Sequence, residues 1–470
     1  MNFKGISFYL SLFCFPISFL AFINILYASY FDYFLSIDTY FTTLLLSLIV
    51  GFIFFYYGKN SKKNINFFEQ LILIIVSYFL VSLLIALPFY LSNYQVTFVN
   101  SIFESISGLT GTGFSIFKNI KYLDPTLILW RSSSQWIGGL FFLFFLIIIF
   151  SNKSFNYKMT NLSYSGESNI NSENNIKDNI LRILIIYTVL SILILTLLNF
   201  SGLRLFNSLN MSMTLVSGGG FLPIDSIDKI ISTNFQKIIF IFSLTLSMLN
   251  FYLLFNLFNK NILIKEHKED LYLIILLIIF CILIYLNNYQ GLDIIISVVS
   301  SLANSGLTLV KSDNNLSLYF LLITIIGGSL ISNTSGIKLT RFYILLKITS
   351  SEIIKLISPN SVINKTIFNS DKKISDDNIK ISFLIFISFF LSLFILSSLL
   401  VVDNIGFEKS FKLSILTLTN TVNSEMFNMQ NINFSNLLTS SKISLILFMI
   451  IGKIELISIF LIFKKILFKE

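Results

Sequence analysis

The sequence predicts an all-α integral membrane protein, with two leading transmembrane helices followed by four repeats of span, short re-entrant helix and span. Three observations carry that prediction. The first is composition: 55% of the 470 residues are hydrophobic, only 12% are charged, and 52 are Phe, whereas soluble chains hold about 25% charged residues. The mean hydropathy is +0.82. The second is a series of apolar runs, most of them near the roughly 20 residues that cross a bilayer as a helix. The third is a shorter, half-apolar segment of about 12 residues, followed by Gly, Ser, Thr or Asn, that recurs between spans; segments of that length suggest re-entrant helices.

Residues 1–60 hold the two leading spans, at 5–29 and 38–57. The first lacks a small-residue cleavage site and is expected to be retained. Repeat 1 occupies 68–150, with runs at 68–92 and 126–150 around a short segment at 98–109. Repeat 2 occupies 179–258, with runs at 179–200 and 236–258 around 205–216. Repeat 3 occupies 270–347, with runs at 271–288 and 316–347 around 292–303. Repeat 4 occupies 380–465, with runs at 380–402 and 442–463 around 408–419. Residues 159–176 read as a flexible linker, and 348–379 as a polar, partly structured loop.

Charge sets the orientation. With the N-terminus inside, the inner loops hold 20 Lys and Arg against 8 in the outer loops, the bias expected of cytoplasmic loops. The net charge of +9 therefore points to a lipid bilayer and not to nucleic acid. All four short helices then enter from outside. Cys14 and Cys281 lie in apolar runs and form neither a metal pattern nor a disulfide framework. His267 is the single histidine. No span carries paired carboxylates or a nucleophile with a base, which argues against a polytopic membrane enzyme and implies no cofactor. A symporter with broken helices at the midplane would leave four outer-facing short helices unexplained.

The four short segments end alike. Thr110-Gly111-Thr112-Gly113 closes the first and Ser217-Gly218-Gly219-Gly220 the second; Asn304-Ser305-Gly306 and Thr421-Val422-Asn423 close the third and fourth. Unpaired backbone inside a membrane is tolerated only where protein buries it or where it lines a watery cavity. Four such loops at one end of four repeats can converge on a central pore. Glycine allows the conformations that turn successive carbonyls inward. Rings of carbonyls can replace a cation's hydration shell, and the negative C-terminal ends of the short helices favour a cation between them. A single cluster of this kind would equally suit close helix packing; four at matched places point to an ion-selectivity filter.

With these residues in view, the chain resembles the Trk/Ktr/HKT superfamily of cation transporters, specifically the TrkH type, over nearly its whole length. Ala86-Leu87-Pro88 and Phe103-Glu104 through Gly113 are similar to the family's first repeat, and Trp130-Arg131-Ser132-Ser133-Ser134-Gln135-Trp136-Ile137-Gly138-Gly139 is very similar to one of its most specific strings. The two extra N-terminal spans favour the TrkH type. The resemblance implies a K⁺-uptake subunit of the bacterial cytoplasmic (inner) membrane with K⁺ as the transported ion. It also implies a homodimer gated by a cytosolic, nucleotide-binding TrkA-like partner. A sodium-permeable relative is the alternative within the superfamily.

Gly327-Gly328-Ser329, followed by Ser332-Asn333-Thr334-Ser335-Gly336, interrupts an apolar span and resembles the family's intramembrane loop, which obstructs the pore until it opens. Lys453 lies inside the final apolar run, where a charge is costly and usually faces a partner or a cavity. The family often has Arg there, pointing into the pore; snorkelling toward the interface is the other reading. Arg131 suits a headgroup anchor as well as a functional role, and Glu104 a buried hydrogen bond that holds the filter. Asp293 and Asp403 read as solvated loop residues. Asn423 stands where the resemblance places a fourth filter glycine: either its side chain perturbs the ring and weakens K⁺/Na⁺ discrimination, or it points away from the axis and hydrogen-bonds behind the filter.

Overall fold

The computed structural model describes residues 2–61, 65–150, 173–251, 253–254, 268–286, 291–310, 314–359, 365–368, 373–429 and 432–454. His267, Glu455, the rest of the last apolar run, the tail from Lys464 and most of the 159–176 linker lie outside them. Among the described residues the fold is entirely helical apart from one isolated bridge.

Two long helices open the chain, α1 (Phe3–Tyr30) and α2 (Phe34–Gly58), and pack on each other as a hairpin. The order long, short, long then repeats. It begins with α3 (Phe67–Leu91), α4 (Phe98–Thr110) and α5 (Pro125–Phe150). The second set is α6 (Glu173–Phe200), α7 (Leu205–Val216) and α8 (Asn234–Met248). The third is α9 (Lys268–Leu286), α10 (Leu292–Leu302) and α11 (Asn314–Ile326), followed after a break by α12 (Leu339–Ile357). The last is α13 (Asp376–Val402), α14 (Phe407–Leu418) and α15 (Thr439–Ile454). Six helices (α1, α2, α3, α6, α9 and α13) are long and apolar enough over their described residues to cross a membrane.

The four short helices are held in a closed ring. Each packs on the second long helix of the preceding set: α7 on α5, α10 on α8, α14 on α11, and α4 on α15. Each short helix also packs inside its own set, and in two sets a glycine sets how closely it approaches the following long helix. A Cβ on Gly138 of α5 would collide with the carbonyl oxygen of Leu109 in α4, and a Cβ on Gly452 of α15 with that of Leu418 in α14. Leu109 and Leu418 occupy the same place in the last turn of their short helices. Only glycine lets helix backbones touch at this distance.

Three spans differ from the sequence expectation. Helix α6 reaches back to Glu173, into the stretch expected to be linker. Beyond the expected break at 327–338, α12 runs to Ile357, ten residues past the expected end of that span at 347. The run at 236–258 is also broken: α8 stops at Met248, Leu249 is extended, and helix resumes at Phe251. No Gly or Pro marks that second break. It exists because the freed backbone groups find partners across the membrane interior, described below.

Candidate functional site

Each short helix ends in the same way, and the backbone fixes a common register for the four loops. Gly111, Gly218, Asn304 and Asn420 donate their N–H to the carbonyls of Gly108, Leu215, Ser301 and Thr417, three residues earlier. All four adopt the left-handed conformation, with φ of 80°, 66°, 56° and 49°. Glycine and, less readily, asparagine tolerate that region, which accounts for two Gly and two Asn at one level. One residue on, Gly219, Ser305 and Thr421 donate to Thr214, Ser300 and Leu416; Thr112 is their counterpart.

The next level is therefore Gly113, Gly220, Gly306 and Val422. These four residues line one cavity of about 580 Å³, together with Ser115, Arg131, Asp225, Asp228 and Glu425. They also crowd each other. A Cβ on Gly113 would lie 2.9 Å from Gly220 Cα, one on Gly220 2.6 Å from Val422 Cβ, and one on Gly306 2.7 Å from the Val422 oxygen. This register corrects the sequence alignment of the fourth loop: Val422, not Asn423, stands level with the three glycines. Asn423 is one residue further out, level with Phe114, Phe221 and Leu307, and its Nδ2 donates to the Met429 carbonyl at 3.1 Å. A valine fits because Gly113 and Gly306 require a left-handed backbone, whereas Gly220 and Val422 lie outside that region.

The remaining filter candidates are buried around this ring. Thr110 and Thr112 hydroxyls lie 2.7 Å apart, and Thr110 donates to the Ile106 carbonyl. Ser217 donates to Thr214 O, and Ser305 lies 3.0 Å from the Ser300 hydroxyl. Thr421 and Thr419 hydroxyls are 3.0 Å apart. These hydroxyls thus brace the loops. The Asn420 amide joins loop 4 to its neighbours, donating to Thr112 Oγ1 and Met449 O and accepting from Ser335 Oγ and the Lys453 N–H.

Helix α5 explains the ten-residue string from Trp130 to Gly139. Trp130 Nε1 donates to Ile85 O at 3.0 Å, near Pro88 of α3. Arg131 is not a headgroup anchor: it is 1% exposed and its Nε donates to Glu104 Oε1 at 2.8 Å. Glu104 in turn accepts from Ser115 Oγ and the Ile116 N–H, tying down the segment just beyond Gly113. The Arg131 guanidinium also lies 4.1 Å from the Phe221 ring, next to Gly220. One turn along, Gln135 Oε1 accepts from the Phe221 N–H at 3.1 Å. One helix face therefore holds loops 1 and 2.

The break between α11 and α12 lies on the other side of the loops from the cavity. Gly327 and Gly336 are left-handed, with φ of 70° and 82°. Gly328 N–H donates to Thr334 Oγ1, which is 2.7 Å from the Ser332 hydroxyl. Lys338 folds back, its Nζ donating to the Ser332 and Thr334 carbonyls. Asn333 reaches the second loop, its Nδ2 donating to Val216 O at 2.8 Å. Its own carbonyl accepts from Lys453 Nζ at 2.8 Å. Lys453 is 3% exposed, lies 4.6 Å from the Phe142 ring and is directed to within 3.9 Å of where a Cβ on Gly111 would be. It is directed inward, between the four loops and the break, and does not snorkel. Asp293 pairs with Lys237 at 2.6 Å, and Asp403 accepts from Ser440 and Ser441; both tie helices together.

Two residues missed at the sequence level touch this break. Glu269 and Asp270, in the first turn of α9, are 7% and 2% exposed. The span expected at 271–288 began just past them, so the expectation that no span carries paired carboxylates missed them; the helix starts at Lys268 and takes both in.

No family model matches the chain. An uncharacterized cation transporter of Methanocaldococcus jannaschii is 27% identical over 91% of this chain and 90% of its own length. The Trk system potassium uptake protein TrkG of Escherichia coli is 26% identical over 91% of both chains. Its TrkH counterpart is 25% identical over 68% of this chain and 70% of that protein. Among solved structures, the potassium transporter TrkH from Vibrio parahaemolyticus superposes with a TM-score of 0.86 at 19% identity, covering 98% of each chain. The chain is thus similar to the Trk system potassium uptake proteins over most of its length, and its described residues share the fold of the solved TrkH transporter.

Proposed function

We propose that this chain is the membrane subunit of a potassium uptake system, conducting K⁺ through a channel-like pore on the axis of the four loops. The observation that carries the reading is the matched level of Gly113, Gly220, Gly306 and Val422 at one cavity, above a ring closed by the four short helices. Four C-terminal helix ends converge there, and their partial negative charge favours a cation. Inward movement of one charge gains about 2.3 kcal/mol per 100 mV of membrane potential, which drives uptake without ATP hydrolysis by this chain. Gly327–Gly336 and Lys453 form the gate beneath the filter.

The protein resides in the cytoplasmic membrane with its N-terminus inside, works as a homodimer and is gated by a cytosolic TrkA-like partner. The inside-positive loops support the orientation. The relatives' naming as components of a Trk system supports the partner. Expression in cells stripped of their own K⁺ systems should restore growth on low K⁺ and rapid K⁺ uptake. Absence of K⁺ uptake by membrane-inserted protein would sink the assignment. A sodium-permeable transporter is the second reading, favoured by Val422 at a level otherwise held by glycine, and parallel Na⁺ uptake separates the two.

A further inference from the structure

Two helix breaks meet inside the membrane on the inner side of the four loops. The end of α8 and the 327–338 segment pair through their backbones: Ser329 N–H donates to Met248 O, and Phe251 N–H donates to Ile331 O, both at 3.0 Å. Each break leaves one further amide inside the protein, and each amide points at an acid of α9. Leu330 N–H donates to Glu269 Oε1 at 2.8 Å, and Asn250 N–H donates to Asp270 Oδ1 at 2.9 Å. The Glu269 oxygen also accepts from the Thr340 hydroxyl, in the first turn of α12. Lys338 and Arg341, buried to 2% and 1% exposure, bring opposite charge to bear on Glu269.

Solvation alone does not account for this arrangement. Burying two adjacent carboxylates is costly unless each is compensated, and a run of leucine would close the same helix turn without that cost. What the acids supply is a pair of acceptors for the two backbone amides, and Glu269 sits beside the cationic Lys338 and Arg341. They are directed at the two segments that have no helical partner.

We infer that Glu269 and Asp270 are positioning residues that clamp the gate: they lock the break in α8, the intramembrane loop and the start of α12 into one unit in the closed state. The inference rests on the gate reading of 327–338. Opening moves the loop away from Asn333's seat under loop 2, and that motion must break the Leu330–Glu269 bond or carry α9 with it. The clamp therefore sets how much of the population is open, and it leaves the four outer loops untouched.

The test uses the full chain reconstituted in vesicles. Glu269→Gln keeps the volume and an acceptor oxygen but removes any charge beside Lys338 and Arg341; Asp270→Leu removes the acceptor at the second break. Each should raise K⁺ flux about tenfold, as expected when a bond specific to the closed state is weakened, with the K⁺/Na⁺ ratio unchanged. Ser332→Cys, in a chain also carrying Cys14→Ser and Cys281→Ser, should react faster with a charged thiol reagent when Glu269→Gln is added. A purely structural role would lower yield and melting temperature without raising either flux or reactivity, and that result overturns the clamp. If shortening 329–335 raises flux while neither acid variant does, the clamp fails and the gate stands. If none of the three changes flux, both fail.

Discussion

Around the outer cavity four separate loops are each held by side chains from helix faces. Glu104, Arg131 and Gln135 reach loops 1 and 2 from α4 and α5, and Asn420 ties loop 4 to loop 1. On the inner side one continuous segment is held instead by long charged side chains. Lys453 and Lys338 bind its carbonyls, and Glu269 binds an amide. Four separate pieces contribute to the outer level, so moving one leaves three in place. The inner segment is single, so each of its anchors acts on the same piece of chain. The outer level is thus assembled from four separately braced pieces, and the inner break is one segment held as a unit.

Substitutions can break this contrast at either end. The largest effect is expected from Gly113→Leu or Gly220→Leu. Gly113 is left-handed and a Cβ there meets Gly220 at 2.9 Å, so K⁺ uptake should vanish while the protein still inserts; normal uptake by either variant refutes the filter assignment. Next is Glu104→Gln, which leaves Arg131 buried without its counter-charge. Removing one partner of a buried pair costs about 3–5 kcal/mol, seen as a lower melting temperature in detergent together with a reduced K⁺/Na⁺ ratio by reversal potential. A stability loss with an unchanged ratio would show that the pair supports the helices and not the loop.

Smaller effects test the inner side. Lys453→Ala removes a charge-assisted bond to Asn333 and should raise K⁺ flux about tenfold, without loss of selectivity or stability. Shortening 329–335 should act in the same direction, and unchanged flux in both variants counts against gating. The smallest expected change concerns the fourth loop. Val422→Gly should increase the K⁺/Na⁺ permeability ratio a few-fold, since filter discrimination depends on cavity size or on the number and field of coordinating dipoles. Asn423→Gly should leave the ratio unchanged, because its side chain is engaged with Met429 O. The opposite ranking of the two variants would restore Asn423 to the filter level.

Much of the fold was legible in the sequence because lipid restricts the choices. The short segments expected at 98–109, 205–216, 292–303 and 408–419 correspond to helices Phe98–Thr110, Leu205–Val216, Leu292–Leu302 and Phe407–Leu418. Apolar length and trailing Gly, Ser or Asn suffice for that, and Gly327 and Gly336 likewise marked the inner break. What was illegible depends on partners distant in sequence. The break at Leu249 has no local signal, since its amides are satisfied by Ile331 O and Asp270. Arg131 looked interfacial because nothing in the string Trp130 to Gly139 states that Glu104 waits across the helix pair. The slip from Val422 to Asn423 has a similar cause: the register is set by where α14 ends, and the chain Leu418-Thr419-Asn420-Thr421 carries no glycine to mark it.

The closed ring of short helices has a consequence for how the chain is made. Helix α4 belongs to the first set but rests on α15, the last described helix, and Thr112 meets Asn420 across 308 residues of sequence. During synthesis the first loop can take its final seat only after nearly all of the protein has left the ribosome. Contacts at such separation form late. A chain that ends before Thr439–Ile454 therefore lacks the helix on which its first short helix rests.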